Sequence, residues 1–110
     1  MGAVLTVTDD TFQAEVLDSS VPVLVEFWAI WCGPCRGMVP ILDRVAGERA
    51  GAMKVVKVDT DANPVTALKY QILQVPTMLV IAGGQVVGEM RGRALPKPLL
   101  DRELDAALVA

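Results

Sequence analysis

The two cysteines of the 110-residue chain, Cys32 and Cys35, are separated by two residues and follow an apolar run, Val23–Trp28. Two thiols at this spacing can close a small disulfide and reopen it without moving the rest of the backbone. Pro34 suits the first turn of a helix, because the N–H group that proline lacks has no partner there in any case. We therefore predict a helix that begins near Pro34, with Cys32 at or just before its start and Cys35 about one turn inside.

The start of that helix favours a charged sulfur. Four backbone N–H groups are unpaired at a helix N-terminus, which also carries the positive end of the macrodipole. A thiolate is therefore favoured over a thiol at this position. We expect Cys32 to be ionised and exposed and Cys35 to be more sheltered, as thiol–disulfide exchange requires.

Two other uses of a C-x-x-C pair have less support. A zinc site needs four ligands, usually cysteine and histidine, and the chain has no histidine and no third cysteine. A site within one molecule would need carboxylates to complete it, so we predict no metal. A purely structural disulfide is also a weak interpretation, because so short a loop removes little entropy from the unfolded chain. A C-x-x-C pair near a βαβ pattern is instead typical of a redox motif.

Composition and charge indicate a globular protein. The chain is 53% hydrophobic and 21% charged, which suits one folded domain over residues 1–110. Its net charge of −3 argues against general nucleic-acid binding, which needs a basic face. The N-terminus has no basic region, and no run approaches the ~20 apolar residues of a membrane span, so we expect neither a signal peptide nor membrane insertion. Two cysteines without a secretion signal then favour a cytoplasmic location.

The order of apolar and amphipathic stretches predicts an α/β fold with a mixed sheet and helices on both faces. Gly83 and Gly84 are typical of a two-residue hairpin turn, so the last two strands should be antiparallel. Pro40 should kink the second helix. The predicted strands are 3–7, 21–28, 53–58, 77–82 and 85–91, and the predicted helices are 8–17, 34–49, 63–70 and 96–109.

Two of these helices carry further expectations. Thr8 is placed to cap the first helix, with Asp9 and Asp10 in its first turn, where they complement the dipole. The last helix is amphipathic, and its apolar residues should face the core. These are Leu99, Leu100, Leu104, Ala107 and Leu108.

The segment 25–35 reads V-E-F-W-A-I-W-C-G-P-C, and it closely resembles the active-site segment of the thioredoxin family. Further similarities occur at 61–64, 69–70 and 75–77 and around Gly92, in the family's order and across nearly the whole chain. The resemblance implies the thioredoxin fold, an α/β fold in which a central mixed five-stranded sheet of order 1-3-2-4-5 is flanked by four helices. The dipeptide between the cysteines, Gly33-Pro34, is similar to that of the reducing members and is expected to tune the redox pair.

Glu26 is the most informative polar residue outside the motif. It interrupts an apolar strand, and alternation places it on the same face as Leu24 and Trp28, where burial should raise its pKa. Lys57 likewise interrupts the apolar face of its strand, and the family fold places this strand beside that of Glu26. A buried acid near the dithiol can take and return the proton that Cys35 must lose, so we predict catalytic roles for Glu26 and Lys57. A merely structural buried ion pair is the alternative, and glutamate departs from the family's usual aspartate.

The resemblance also places substrate binding at Val75 and Pro76. Only about 5–6% of X–Pro bonds are cis in folded proteins, so the residues alone predict a trans bond. In the family this proline is cis and packs beside the disulfide, while the main chain of the preceding residue pairs with an extended substrate. We carry both roles over, because main-chain pairing explains reaction with many unrelated protein disulfides.

Several residues near the motif are predicted to border the docking surface. Trp31 adjoins the first cysteine, Ile30 adds apolar surface, and Gly92 is the small residue that lets a partner approach closely. Trp28 is interpreted as a core residue.

Three arginines near the motif carry further expectations. Arg91 and Arg93 flank Gly92, either as a solvated rim or as a charge that biases the site toward acidic partners. Arg36 is expected to lend modest stabilisation to the thiolate.

The resemblance implies a protein-disulfide reductase. The Cys32 thiolate attacks a substrate disulfide, and Cys35 then resolves the mixed disulfide. No metal or organic cofactor is expected. The implied partners are disulfide-containing proteins and a flavin-dependent thioredoxin reductase that draws on NADPH, with the chain itself a monomer. A binding module without turnover and a dedicated electron donor for one enzyme remain as alternatives.

Overall fold

A computed structural model describes residues 2–109, and its centre is a five-stranded mixed sheet of order β1-β3-β2-β4-β5. Strands β1 and β2 run parallel to β3, whereas β4 is antiparallel to both β2 and β5. The predicted mixed sheet and its strand order are therefore confirmed. The strands are β1 (Leu5–Thr6), β2 (Val23–Trp28), β3 (Lys54–Asp59), β4 (Thr77–Ala82) and β5 (Gln85–Met90).

The four predicted helices are present, with shifted ends. The first helix, Gln13–Leu17, is a short π-helical segment, and the long helix, Gly33–Glu48, is continuous through Pro40. The short helix covers Pro64–Lys69, and the C-terminal helix covers Lys97–Ala107. No helix within residues 2–109 combines the length and the apolar character needed to cross a bilayer.

Alternating side chains of the central strands divide the core into two clusters, one on each face of the sheet. On one face, Leu24 packs with Met38 and Leu42 of the long helix and with Leu100 of the C-terminal helix. On the other face, strand residues pack with the first helix and with aromatic residues near the short helix. This second cluster includes Phe12, Val16, Val25, Phe27 and Val58, with Tyr70 packed against it.

The prediction that Thr8 caps the first helix is wrong, because that helix begins only at Gln13. Asp9 instead caps a different helix. The Asp9 carboxylate accepts the backbone N–H groups of Val65 at 3.2 Å and Thr66 at 2.8 Å, which are unpaired donors at the start of the short helix. The hydrogen bond from the Thr66 side chain lowers the pKa of Asp9. Asp9 therefore fixes the short helix, which borders the site described below.

The C-terminal helix also differs from its prediction at one residue. Leu100 and Leu104 are fully buried as expected, and Ala107 and Leu108 are partly buried. Leu99 is 41% exposed, so its predicted inward orientation is wrong. Successive helical residues point about 100° apart, and Leu99 therefore lies at the edge of the face that its neighbour buries.

Candidate active site

Cys32 and Cys35 form a disulfide at the start of the long helix, with their Cα atoms 5.3 Å apart. Cys32 is the N-cap residue, and its Sγ accepts a hydrogen bond from the Cys35 backbone N–H at 3.2 Å. The helix begins at Gly33, and Pro34 lies in its first turn. The predicted position of both sulfurs relative to the helix start is confirmed.

The expected difference in exposure between the two cysteines is absent. Cys32 and Cys35 are each only 3% exposed, so the prediction of an exposed Cys32 is wrong for this disulfide form. The reason is tertiary packing: Trp28 and Val75 lie against the cluster that both cysteines form with Ala29. A partner must therefore reach the disulfide across the residues that surround it.

Glu26 is a buried carboxyl in the middle of the sheet. It is 2% exposed, it lies opposite Lys57 in the register of β2 and β3, and its Oε2 accepts no hydrogen bond from residues 2–109. Burial raises the pKa of Glu26 to about 7, and the positive charge of Lys57 only partly opposes this shift. The carboxyl therefore changes its protonation state near neutral pH.

Lys57 forms none of the ion pairs found within residues 2–109, and its Nζ instead lies 5.6 Å from the centroid of the Trp28 ring. A cavity of about 110 Å³ connects Glu26, Cys35 and Lys57. A cavity of this size holds a few water molecules where polar groups line it. Glu26, Cys35 and Lys57 therefore face the same small cavity.

The Val75–Pro76 bond is cis, as the resemblance implied and contrary to the expectation from the residues alone. Pro76 is buried immediately before β4, and Val75 packs against the two cysteines. The backbone on the N-terminal side of β4 is therefore held beside the disulfide.

Apolar side chains form an exposed rim around the disulfide. Trp31 is 68% exposed, and its indole N–H donates to Asp61 at 2.9 Å, while Ile30 is 72% exposed. Gly92 has φ +71°, and a Cβ atom there would collide with the side chain of Gln74. Glycine at position 92 therefore serves both the backbone conformation and the close packing of its neighbour.

Two further residues of this rim escaped the sequence analysis. Leu68 and Leu73 are 79% and 92% exposed, and with Trp31 and Val75 they line an open groove of about 390 Å³. The sequence offered one signal for them: one leucine lies before and one after the family-like segment 69–70. Their exposure depends on the path of the chain after the short helix, which the pattern does not indicate.

Two of the three arginines near the motif, Arg36 and Arg91, donate to backbone oxygens. Arg36 donates to the carbonyl oxygen of Ile30 at 2.9 Å. Arg91 donates to the carbonyl oxygens of Tyr70 and Gln71, each at 3.1 Å. The Arg91 guanidinium therefore belongs to the framework of the rim, although its side chain is 40% exposed.

This fold and this disulfide define the class of thiol–disulfide oxidoreductases. The family model for thioredoxin matches residues 3–105. Thioredoxin 1 of Nostoc sp. is 51% identical over 108 residues, which cover 98% of this chain and 100% of that protein. Thioredoxin 1 of Synechococcus elongatus is 48% identical with the same coverage of both chains. The chain belongs to the thioredoxin family, and Cys32 and Cys35 are its redox-active pair.

A third relative carries a second activity in its name. The bifunctional thioredoxin reductase/thioredoxin of Mycobacterium leprae is 45% identical over 103 residues, which cover 94% of this chain and 22% of that protein. The similarity therefore covers only a small part of that longer relative.

The buried carboxyl predicts an unusual dependence of stability on pH. Glu26 binds its proton more tightly in the folded protein, where its pKa is about 7, than in the unfolded chain, where its ordinary pKa is 4.5. The stabilisation from this difference is present below pH 4.5 and is lost as the pH rises through 7. Glu26→Gln cannot ionise, so its free energy of unfolding relative to the wild type should rise by about 3 kcal/mol between these limits.

Urea unfolding of both proteins at pH 5 and at pH 8 measures this change. Asp101→Asn is a matched control, since it neutralises a carboxyl whose pKa is lowered instead. If the difference in the free energy of unfolding between Glu26→Gln and the wild type is the same at both pH values, Glu26 is not buried in its neutral form.

Proposed function

We propose that this protein reduces disulfides of other proteins, with Cys32 as the nucleophile and Cys35 as the resolving thiol. The observation that carries the proposal is the helix start at Cys32, where the Cys35 N–H donates to the Cys32 sulfur. The Cys32 thiolate attacks one sulfur of the substrate disulfide, and the other sulfur leaves as a thiolate that takes up a proton. Cys35 then attacks Cys32, which restores the protein's disulfide and releases the substrate with two electrons gained.

Glu26 is proposed as the base that removes the proton from Cys35. Its raised pKa of about 7 suits proton transfer at neutral pH, and the cavity shared with Cys35 gives a route for water. Lys57 lines the same cavity, and its charge favours the ionised carboxyl that this step requires. The extra methylene of glutamate, relative to the family's usual aspartate, remains compatible with this role.

Substrate docking is proposed at the rim. The main chain of Val75, held beside the disulfide by cis Pro76, is available to pair with an extended substrate segment. Trp31 and Ile30 supply exposed apolar surface on one side, and by the family resemblance the small residue Gly92 borders the partner on the other. The groove that also contains Leu68 and Leu73 extends this surface and favours apolar side chains near the substrate disulfide.

A thioredoxin reductase is proposed to return the disulfide to the dithiol. The bifunctional mycobacterial relative, whose name joins the two activities, supports this partner. By the family resemblance the reductase is a flavoprotein that uses NADPH, and Gly33-Pro34 favours the reducing direction. We further propose that residues 1–110 form one domain without a metal or organic cofactor, and that the protein acts as a monomer in the cytoplasm.

Cys35→Ser should accumulate mixed disulfides on Cys32, because serine cannot displace the captured substrate. The variant is exposed to an extract of oxidised proteins, and the trapped species are separated on non-reducing gels and identified by mass spectrometry. Cys32→Ser is the matched control and should trap nothing through this route. Many trapped proteins indicate a general reductant and a single one a dedicated donor, whereas none would contradict the proposal in favour of a binding module.

Glu26→Gln should slow the resolving step without preventing the first attack. In the wild type the rate of mixed-disulfide resolution should rise as Glu26 loses its proton, through pH 7. The variant should lack this rise and should resolve on the order of tenfold or more slowly at neutral pH. Single-turnover measurements across the pH range test this, and a profile that matches the wild type would remove Glu26 from the mechanism.

A further inference from the structure

The short helix Pro64–Lys69 ends in a motif that normally requires glycine. The backbone N–H of Gln71 donates to the carbonyl oxygen of Leu68 at 3.0 Å, and the N–H of Ile72 donates to the carbonyl oxygen of Ala67 at 2.9 Å. These two bonds define a Schellman motif, in which the residue after the cap takes a left-handed conformation. That residue is Gln71, with φ +53°, a conformation that side chains other than glycine disfavour.

Arg91 binds this helix end from a different part of the chain. Its two terminal nitrogens each donate one N–H, to the carbonyl oxygens of Tyr70 and Gln71 at 3.1 Å, and its Nε donates to Glu89 at 2.6 Å. The last carbonyl groups of a helix lack partners within it, and a cation there also complements the macrodipole. The guanidinium thus satisfies carbonyl groups at the turn where the backbone of Gln71 is strained.

The strained residue begins the segment that forms the docking rim. Leu73 and Val75 follow Gln71 and line the groove beside the disulfide. The C-terminal end of segment 71–75 has a separate contact: the Thr77 hydroxyl donates to the carbonyl oxygen of Gln74 at 2.7 Å. Arg91 therefore adds its contacts to the start of segment 71–75, where the two bonds of the helix end also act, and Thr77 contacts the other end.

We propose that Arg91, oriented by Glu89, is a positioning residue that clamps the left-handed turn at Gln71 and so sets the place of the Val75 main chain for protein substrates. This inference rests on the proposed function, because it concerns how the same site receives its substrate. It differs from the expectation that Arg91 attracts acidic partners, since three of the five N–H groups of its guanidinium donate to intramolecular oxygens.

The clamp should matter for protein disulfides more than for small ones. Insulin serves as the protein substrate and 5,5′-dithiobis(2-nitrobenzoate) as a small disulfide that needs no main-chain pairing. The measured quantity is the ratio of the two kcat/KM values for one preparation, which does not depend on the folded fraction. Arg91→Met should lower this ratio by about fivefold, as the loss of a helix cap would, through a higher KM for insulin.

Two further variants separate the clamp from a charge effect. Arg91→Lys keeps the charge but lacks the planar fork, so it should lower the ratio nearly as much as Arg91→Met. Gln71→Gly removes the strain at the turn, so Arg91→Met should have less than a twofold effect in that background. Arg93→Met is the control for removal of a neighbouring exposed charge, and it should leave the ratio unchanged.

A ratio that Arg91→Met leaves unchanged would overturn the clamp. So would a normal ratio in Arg91→Lys, which would show that charge alone matters, or an equally large effect of Arg91→Met in the Gln71→Gly background. In each case Cys35→Ser would still trap substrates if the proposed function holds. A wild-type protein that reduces neither disulfide would instead contradict the proposed function itself.

Discussion

The site depends on a single constraint, the short distance in sequence between the end of β2 at Trp28 and the start of the long helix at Gly33. This connection holds the unpaired N–H groups of the helix at the edge of the sheet, where Cys32 caps them. Strand β4 pairs with β2 so that Thr77 lies opposite Phe27. The residues just before Thr77 therefore reach the same edge, which explains why the cis Val75–Pro76 bond and the disulfide are neighbours.

The same register determines the position of the acid. Glu26 lies opposite Lys57 of β3 on one side and Met78 of β4 on the other, one of the most deeply enclosed positions of the sheet. A carboxyl without a full set of partners is costly there, and its raised pKa is the physical expression of that cost. The burial of Glu26 thus lowers stability at neutral pH, and Glu26 and Cys35 line the same cavity.

Features governed by neighbouring residues could be predicted from the sequence. Pro34 indicated the helix start, Gly83 and Gly84 indicated the hairpin, and the break in an apolar run indicated a buried acid at Glu26. The strand order did not follow from these patterns and required the resemblance to a known family. The resemblance also supplied the cis bond before Pro76, which the residues alone would have given as trans.

Features governed by distant residues could not be predicted. Asp9 caps a helix that begins more than fifty residues later, so a local capping rule assigns it to the wrong helix. The burial of Cys32 depends on Trp28 and Val75, which only the folded sheet brings against it. For Arg91 the sequence indicates only an exposed charge beside Gly92, because no local pattern shows that its guanidinium reaches the carbonyl oxygens at the end of another helix.

The central claim is that the helix start makes the sulfur of Cys32 anionic while Cys35 stays protonated until it is needed. Alkylation of the reduced protein with iodoacetamide at mildly acidic pH, followed by mass spectrometry of each cysteine, tests this claim directly because only a thiolate reacts at a useful rate. Cys32 should be modified at least about tenfold faster than Cys35, because the helix start favours the thiolate of Cys32 alone. Equal rates at the two cysteines, or faster modification of Cys35, would contradict this account.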